Sequence, residues 1–489
     1  MNAALRRVAV AALVLFGLLF ANLHYVQVVA AERLRNDDRN ARLLAEAYER
    51  ERGVIVVGTR AIAKSVATEG RLKYLRVYAD GRDAGLAASY APLTGYLSLI
   101  YGDSGIEESY GDVLSGADSR LFVRRVTDVI TGRKSKGGVV RLTVDAELQS
   151  VAQRALGARR GAVVALDPRS GAILAMVTSP SYDPNTLSSH DPARIRASYK
   201  KLTDDRRRPL VNRATQETYP PGSTFKIVTA AAALESGLRL DSMVPCPKEL
   251  KLPLTRDTVI RNFDNVSCEA PEVTLAAAFQ KSRNTSFAAL GLSLGGERLR
   301  EQAERFGFGA RPDFPLPLAR SVVPEGLNEP QSAQSAIGQF DVRATPLQMA
   351  LVAAGVANRG VVMRPYLVSS VEGPDLKVLD RTEPEAMGGR AVSERTAAAL
   401  AQLMELAVSP GGTGVRAAVP GRRVAGKTGT AQRGEGQLPH AWFVGFAPVE
   451  APQIVVAVIV EEGGGERDAT GGRVAAPIAG QVLQAGLRR

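Results

Sequence analysis

A serine and a lysine three positions apart begin an apolar segment, Ser223 and Lys226 in "YPPGSTFKIVTAAAALESG". The Pro-Pro-Gly before them forces a turn, and the apolar run predicts a helix. Residues three apart share a helix face, so Lys226 is expected beneath Ser223. A lysine whose pKa is lowered by burial or by a second cation can activate a serine hydroxyl as a nucleophile. An ordinary helix start fits equally, and a second S-x-x-K, Ser198 to Lys201, lacks the turn and the apolar helix.

A second candidate segment is "KSRNTSFAALG", which interrupts a helical run. Ser282 and Asn284 alternate two apart there, so a break in the helix can turn both side chains into one cleft. A capping serine followed by an exposed asparagine fits the same letters.

A third segment, "VAGKTGTAQ", enters a predicted strand near the end of the chain. Gly429 leaves room for a ligand backbone at the strand edge. Thr428 and Thr430 can donate to a carboxylate, and Lys427 adds positive charge. An edge strand with a glycine bulge explains this segment taken alone. The three segments in this order indicate a serine acyltransferase acting on β-lactams and their natural analogues.

The match to a known family extends well beyond these motifs. "PLVNRATQETYPPGSTFK", "GAVVALDPRSGAILAMVTSPSYDPN", "IGQFDVRATPLQMALVAAGVANRG" and "VAGKTGTAQ…HAWFVGFAP" resemble a penicillin-binding protein transpeptidase domain over about residues 141–489. The N-terminal part resembles a class B member, and the layout is similar to the actinobacterial penicillin-binding protein A group. Two departures are Arg283 in the middle of S-x-N, and Phe340 after "IGQ", where a glycine is common.

The resemblance implies a catalytic set. Ser223 attacks the carbonyl between the two terminal D-alanines of a peptidoglycan stem peptide, and Lys226 takes its proton. Ser282 relays a proton to the leaving D-alanine, while Lys427 holds a positive charge that lowers the pKa of Lys226. The backbone N–H groups of Ser223 and Thr430 form the oxyanion hole.

The resemblance also implies a substrate-binding set without metal or organic cofactor. Asn284 hydrogen-bonds the substrate amide, and the terminal carboxylate lies against the segment Lys427, Thr428, Gly429 and Thr430. β-Lactams acylate the nucleophile because they mimic the scissile unit. A neighbouring stem amine then attacks the acyl-enzyme and closes a cross-link in the bacterial cell wall, in cell division or in cell shape.

An apolar stretch near the N-terminus, residues 8–31, follows Arg6 and Arg7. It is long enough to span a bilayer, although a signal peptide cleaved after "VVAA" has a similar core. We expect an uncleaved signal-anchor with a cytoplasmic stub, a single pass of the cell membrane and an extracytoplasmic remainder. In that compartment Cys246 and Cys268 either form a disulfide or stay as two free buried thiols.

The fold expected from the element order is α+β. That order predicts one antiparallel sheet with helices on it. The resemblance implies a penicillin-binding, serine β-lactamase-like transpeptidase domain, in which the sheet is flanked by helices and accompanied by an all-helical subdomain. The expected divisions are the anchor at 1–31, a non-catalytic pedestal or dimerisation-type domain at 32–140 that begins with a polar helical stalk, and the transpeptidase domain at 141–489. The stretch "GRKSKGG", residues 132–138, marks the last boundary.

The net charge of the chain limits the classes of binding partner that it can be expected to have. The formal net charge of +12 suits an anionic bilayer or wall polymer. It also suits nucleic acid, but no basic cluster interleaves with aromatics, and arginine-rich solvated faces explain it too. By resemblance, the pedestal and the anchor contact a polytopic glycan polymerase, although a simple spacer fits the pedestal.

Two other functions are compatible with parts of the sequence. A β-lactamase or D,D-carboxypeptidase on the same fold is one, but no E-x-x-L-N stretch follows Asn284 to activate a water. A non-enzymatic scaffold or β-lactam sensor is the other, and a scaffold is expected to have lost part of the motif set.

Overall fold

The computed structural model describes residues 2–30, 48–70, 72–121, 131, 136–432, 434, 436–465 and 468–489. Its α-helices are Asn2–His24 (α1), Ala84–Thr94 (α2), Ile106–Ser109 (α3), Gly111–Ser115 (α4), Ala146–Leu156 (α5), Pro192–Asp204 (α6), Lys226–Glu235 (α7), Leu275–Gln280 (α8), Asn284–Leu294 (α9), Gly296–Arg305 (α10), Glu329–Ser335 (α11), Pro346–Ala357 (α12), Glu394–Val408 (α13) and Ala476–Gly486 (α14).

Its β-strands are Ile55–Val57 (β1), Arg60–Ala67 (β2), Tyr74–Tyr78 (β3), Leu97–Ser98 (β4), Gly102–Asp103 (β5), Val139–Leu142 (β6), Gly161–Leu166 (β7), Ile173–Ser179 (β8), Met243–Pro245 (β9), Glu249–Lys251 (β10), Val259–Arg261 (β11), Glu272–Thr274 (β12), Val368–Glu372 (β13), Val378–Arg381 (β14), Ala425–Ala431 (β15), His440–Ala447 (β16) and Ile454–Val460 (β17). The predicted stalk falls outside the described residues over 31–47, as does the predicted boundary segment over 132–135.

The sheet that carries the Lys-Thr-Gly segment has the order β15-β16-β17-β7-β8, with every neighbouring pair antiparallel. Alternate side chains of β17 enter two different cores. Val455, Ala457 and Ile459 lie in the core on the side of α12, and Val456, Val458 and Val460 lie in the core on the side of α14. Both faces are therefore covered, which explains why β17 is an uninterrupted apolar run. The predicted antiparallel sheet flanked by helices is confirmed.

Helix α7 is the central helix of the catalytic region. All its residues from Lys226 to Leu234 are buried, and it contacts α9, α10 and α13. A run of alanines lets these neighbours approach closely. Two short hairpin-like sheets, β9 with β12 and β10 with β11, lie among these helices, so the predicted all-helical subdomain also contains strands.

A second sheet joins strands of the N-terminal region to two strands from residues 368–381, with the order β14-β13-β6-β1-β2-β3. Strand β1 pairs in parallel with β6, and β6 pairs antiparallel with β13. The predicted division at 140/141 therefore cuts through β6, and strands from beyond residue 360 complete the sheet of the N-terminal region.

The N-terminal helix is exposed along its length. In the described part of the chain, Leu5–Gln27 is the helical stretch long and apolar enough to cross a membrane, and none of it is buried against the protein.

Candidate active site

The turn before α7 presents Ser223. Gly222 adopts a left-handed φ of +53°, which favours glycine, and residues Gly222–Phe225 form a short 3-10 turn leading into α7. The buried indole of Trp442 donates from Nε1 to the carbonyl of Pro220 at 3.1 Å. Ser223 is half-buried, so its hydroxyl remains accessible at the start of a buried helix.

The amine of Lys226 is fully buried one helical turn further on. It donates to the carbonyl oxygen of Ser282 at 2.8 Å and to Oδ1 of Asn284 at 2.8 Å, and it lies 3.3 Å from Oγ of Ser282. The carbonyl oxygen of Ser282 and Oδ1 of Asn284 can only accept, so they use two N–H groups of the amine. In its neutral form the amine can therefore turn its lone pair to the hydroxyl of Ser282. Among the hydrogen bonds of the described residues, none joins Lys226 to Ser223.

Ser282 lies in the break between α8 and α9. Its φ of +57° is left-handed, a conformation that costs free energy in any residue with a side chain and is concentrated at functional sites. This backbone directs Oγ toward a second lysine, and Lys427 Nζ donates to it at 2.8 Å. One hydroxyl therefore lies between two amines from distant parts of the chain.

Neither buried amine keeps its ordinary pKa. Burial lowers the pKa of Lys226 well below its usual value, and the charge of Lys427 lowers it further. Burial also lowers the pKa of Lys427, to about 7. The ring of Phe287 lies 5.4 Å from the Lys226 amine, and the ring of Phe279 lies 5.6 Å from that of Lys427. These ring faces favour the charged forms, against the stronger effect of burial.

The strand β15 packs directly against the nucleophile turn. A Cβ at Gly429 would lie 2.9 Å from the carbonyl oxygen of Pro221 and 3.0 Å from a methyl of Thr224. Glycine is therefore needed at this position because the nucleophile turn packs against it. The sequence had instead suggested that the glycine leaves room for a ligand backbone. Gly338 is constrained similarly, because its Cβ would lie 2.1 Å from the carbonyl oxygen of Gly222.

The two threonines of β15 differ in access. Thr428 is buried, and its hydroxyl shares a 2.5 Å hydrogen bond with that of Thr413. Thr430 is half-buried, accepts from the backbone N–H of Gly471 at 3.3 Å, and lines a cavity of about 780 Å³. Thr430 is thus the more accessible donor for a ligand.

Asn284 is engaged within the protein on both sides of its amide. Its Oδ1 accepts from Lys226, and its Nδ2 donates to the carbonyl of Arg261 at 3.1 Å. The neighbouring Asn262 accepts from the backbone N–H of Thr285 at 3.2 Å. Asn284 therefore positions the Lys226 amine, and one N–H of its amide is left for a substrate.

Comparison with known proteins agrees with this geometry. Residues 161–484 match the model of the penicillin-binding protein transpeptidase domain, and residues 52–140 match the penicillin-binding protein A dimerisation domain. The chain is 46% identical to the peptidoglycan D,D-transpeptidase PbpA of Mycolicibacterium smegmatis, over 100% of this chain and 99% of that protein. This chain belongs to the penicillin-binding protein transpeptidase family.

Solved members of the penicillin-binding protein family share the fold. Penicillin-binding protein A from M. tuberculosis, solved as a ceftriaxone acyl-enzyme, superimposes with a TM-score of 0.86 at 42% identity. The match covers 91% of this chain and all of that one. The penicillin G acyl-enzyme of the same protein gives a TM-score of 0.84 over 90% of this chain. The family resemblance predicted from the motifs is confirmed.

Several residues that support this penicillin-binding protein site were not predicted from the sequence. They are Phe279 and Phe287 beside the amines, Asn262 at the start of α9, and a network in which Glu461 accepts from Tyr219 and Arg213 next to the nucleophile turn. Each lies far along the chain from the residue that it supports. The aromatic residues of "AFQKSRNTSF" were the one available signal, because they flank the S-x-N motif at helical spacing.

The structure places the remaining candidates as follows. Cys246 and Cys268 form a disulfide. Lys201 of the second S-x-x-K is exposed on α6, while Ser198 beside it is half-buried. Among the described residues, no group of three histidine, cysteine, aspartate or glutamate side chains is arranged to hold a metal ion.

Proposed function

We propose that this chain is a peptidoglycan D,D-transpeptidase that cross-links stem peptides through a serine acyl-enzyme and is acylated by β-lactams. The observation that carries the proposal is the Ser282 hydroxyl between the amines of Lys226 and Lys427, next to the turn that presents Ser223. A base with a lowered pKa beside a hydroxyl relay is what serine acyl transfer requires.

In the acylation step, neutral Lys226 accepts the proton of Ser223, directly or through the Ser282 hydroxyl, as Oγ attacks the carbonyl between the two D-alanines. The backbone N–H groups of Ser223 and Thr430 stabilise the tetrahedral oxyanion, an effect worth about 2.7–4 kcal/mol per donor in comparable enzymes. The proton then passes through Ser282 to the nitrogen of the leaving D-alanine. Charged Lys427 holds the terminal carboxylate together with Thr430.

In the transfer step, a stem amine from a neighbouring strand attacks the acyl-enzyme. Lys226, neutral again after the leaving D-alanine has taken the proton, accepts the proton that the attacking amine loses. It then returns that proton to Oγ of Ser223 as the ester bond breaks. The balance of protons is closed within the site, so the cycle calls for no metal or organic cofactor.

Location follows from the N-terminal helix. We propose that residues Leu5–Gln27 remain as a single membrane anchor and that Arg6 and Arg7 keep the N-terminus in the cytoplasm, which leaves the catalytic region outside. The disulfide suits that oxidising compartment. The exposed anchor helix and the N-terminal region are the surfaces proposed to contact a polytopic glycan polymerase, and residues 32–140 serve as the pedestal.

Labelling with a fluorescent penicillin tests the acyl-enzyme. We expect the wild-type protein and Ser198→Ala to be labelled to the same extent, and Ser223→Ala to lose the label. Labelling that persists in Ser223→Ala, or that is lost in Ser198→Ala, would contradict the assignment of the nucleophile.

A second assay separates transfer from hydrolysis. A D-Ala-D-Ala donor peptide is offered with and without an amine acceptor, and products are separated by mass. We expect the cross-linked product to dominate when the acceptor is present. Release of the free tetrapeptide alone, unchanged by acceptor, would show a carboxypeptidase instead.

A further inference from the structure

The backbone at Phe340 is left-handed, with φ of +59°. Glycine adopts this conformation without cost, and Gly338 in the same turn does so at +69°. A phenylalanine there costs free energy, and such strain persists where the side chain has a use. Phe340 is only half-buried, so filling the core does not explain it.

The side chain of Phe340 lines the cavity that starts at Thr430. Phe263, which is 51% exposed, lines the same cavity from the loop closed by the Cys246–Cys268 disulfide. Two aromatic rings from distant segments therefore face one space of about 780 Å³. Exposed aromatic rings beside a cavity supply rigid contact area for a ligand.

Among the described residues that line the cavity, Arg343 carries a full charge. Its backbone is fixed by two hydrogen bonds with Val322, at 2.8 and 3.0 Å, and its side chain is half-buried in the cavity wall. No carboxylate among the described residues forms an ion pair with it. Of the described lining residues none is acidic; three glutamines, Thr430 and His440 supply its other polar side chains. A guanidinium that forms no ion pair within the described part of the chain, in a polar cavity, favours an anionic ligand.

The position of the cavity identifies which part of the substrate reaches it. The proposed carboxylate site lies between Lys427 and Thr430, three residues apart on β15, and the cavity extends from Thr430 away from Lys427. A donor peptide bound along this strand thus continues past Thr430 with the residues that precede its terminal D-alanine pair. Their side chains enter the space between Phe340, Phe263 and Arg343.

We infer that Phe340 and Arg343 are specificity-determining residues for the donor stem, and that they select a stem whose residue before the D-alanine pair carries a side-chain carboxylate. The inference rests on the proposed transpeptidase function. Arg343 pairs with the carboxylate, and the ring of Phe340 packs on the aliphatic part of the same side chain.

The test uses three synthetic pentapeptide donors that end in D-Ala-D-Ala and differ only in that side chain, which ends in a carboxylate, a carboxamide or an ammonium group. The readout is kcat/KM for D-alanine release. For each variant, this value is divided by the rate of acylation by a penicillin nucleus that carries no acyl side chain. The wild-type protein is expected to prefer the carboxylate donor over the carboxamide about tenfold.

In Arg343→Ala we expect the preference for carboxylate to disappear, and in Arg343→Lys to return in part. Arg311→Ala, which removes an exposed arginine elsewhere, is the matched control and keeps the wild-type preference. In Phe340→Gly the KM of all three donors is expected to rise several-fold while the carboxylate preference stays.

A wild-type protein without a carboxylate preference, or an Arg343→Ala variant that keeps it, overturns the assignment of Arg343. An unchanged KM in Phe340→Gly overturns that of Phe340 and leaves the strain as a feature of folding. If the wild-type protein is not acylated by the penicillin nucleus at all, the proposed function fails with the inference; normal acylation without donor discrimination rejects the inference alone.

Discussion

Two buried charge clusters in this molecule are built on opposite plans. In the N-terminal region, Glu107 is fully buried and accepts from Nε of Arg76 at 2.5 Å and from Nε of Arg52 at 2.7 Å. In the active site, Lys226 and Lys427 are fully buried, and their nearest polar partners are a hydroxyl, an amide and carbonyl groups. One cluster pairs opposite charges, and the other places like charges together.

The difference appears in the direction of the pKa shifts. Burial acts to raise the pKa of Glu107, but the two guanidinium groups outweigh it and the pKa falls. Burial acts to lower the pKa of Arg52, but Glu107 and Asp103 together outweigh it and the pKa rises. Both lysines shift toward the neutral form because burial is opposed by no carboxylate, only by the weaker attraction of the two ring faces. Paired charges stay charged and stabilise the fold, whereas unpaired amines become a base and a titratable cation.

Removing the two amines tests most directly whether they act in catalysis rather than in stability. In Lys226→Met and Lys427→Met we expect acylation by penicillin to fall by about a thousandfold or more, because the base or the relay is lost. The free energy of unfolding is expected not to fall, since each change removes an unpaired buried amine. Stopped-flow acylation and chemical denaturation measure the two effects.

Lys201→Met is the matched control, because it removes an exposed lysine from α6. It is expected to change neither rate nor stability. A large loss of stability in the two active-site variants would show that the amines hold the fold together, and the contrast between the clusters would disappear.

The opposite pattern is expected at Glu107. Glu107→Ala leaves buried Arg76 without its carboxylate and Arg52 with Asp103 alone, at 3.4 Å, so we expect the free energy of unfolding to fall by about 3–5 kcal/mol. The acylation rate of the folded fraction is expected to stay at the wild-type value. Glu108→Gln, on the exposed neighbouring residue, is the control for local disturbance. Lost acylation in a stable Glu107→Ala protein would link the two clusters chemically.

The pH dependence of acylation tests the protonation states assigned to the two lysines. Acylation requires neutral Lys226 and charged Lys427, so kcat/KM rises with pH as the former loses its proton and falls as the latter does, from about pH 7. In Lys427→Arg, a guanidinium keeps its charge, so the alkaline limb is expected to move up by more than one pH unit. An alkaline limb that stays in place would assign it to another group.

The smallest expected effect concerns the support of the nucleophile turn. Trp442→Phe removes the hydrogen bond to the carbonyl of Pro220 and keeps most of the buried ring. We expect about a tenfold lower acylation rate, the value of one hydrogen bond, with KM for the donor little changed. A rate equal to that of the wild-type protein would show that the turn is held without it.

The sequence predicted the chemistry better than its supports. The S-x-x-K, S-x-N and K-T-G segments are short, and their residue types are set by the reaction, so each was visible in isolation. The sequence also predicted Ser282 at a break in a helix and Lys427 in a strand, because the periodicity of helices and strands is a local property. Strand β17 and the hairpin of β7 and β8 were equally readable from their apolar runs.

What escaped prediction depends on contacts between distant segments. Nothing near Gly429 in the sequence shows that Pro221 packs against it, so its glycine was attributed to a ligand. The pairing of β6 with β13 places residues 139–142 in a sheet with residues 368–372, and no local pattern shows that the domain boundary cuts a strand. The left-handed φ of Phe340 could not be predicted, and the sequence showed only a phenylalanine after "IGQ", where a glycine is common.

The central claim is that burial and a neighbouring cation keep Lys226 neutral and ready to accept a proton. The most direct measurement is a titration of its Cε resonance by NMR in protein labelled at lysine, in the wild type and in Lys427→Met. We expect a pKa for Lys226 well below 10.5 in the wild type, and a higher value once the second amine is removed. A wild-type pKa near the ordinary lysine value, unchanged in the variant, would contradict it.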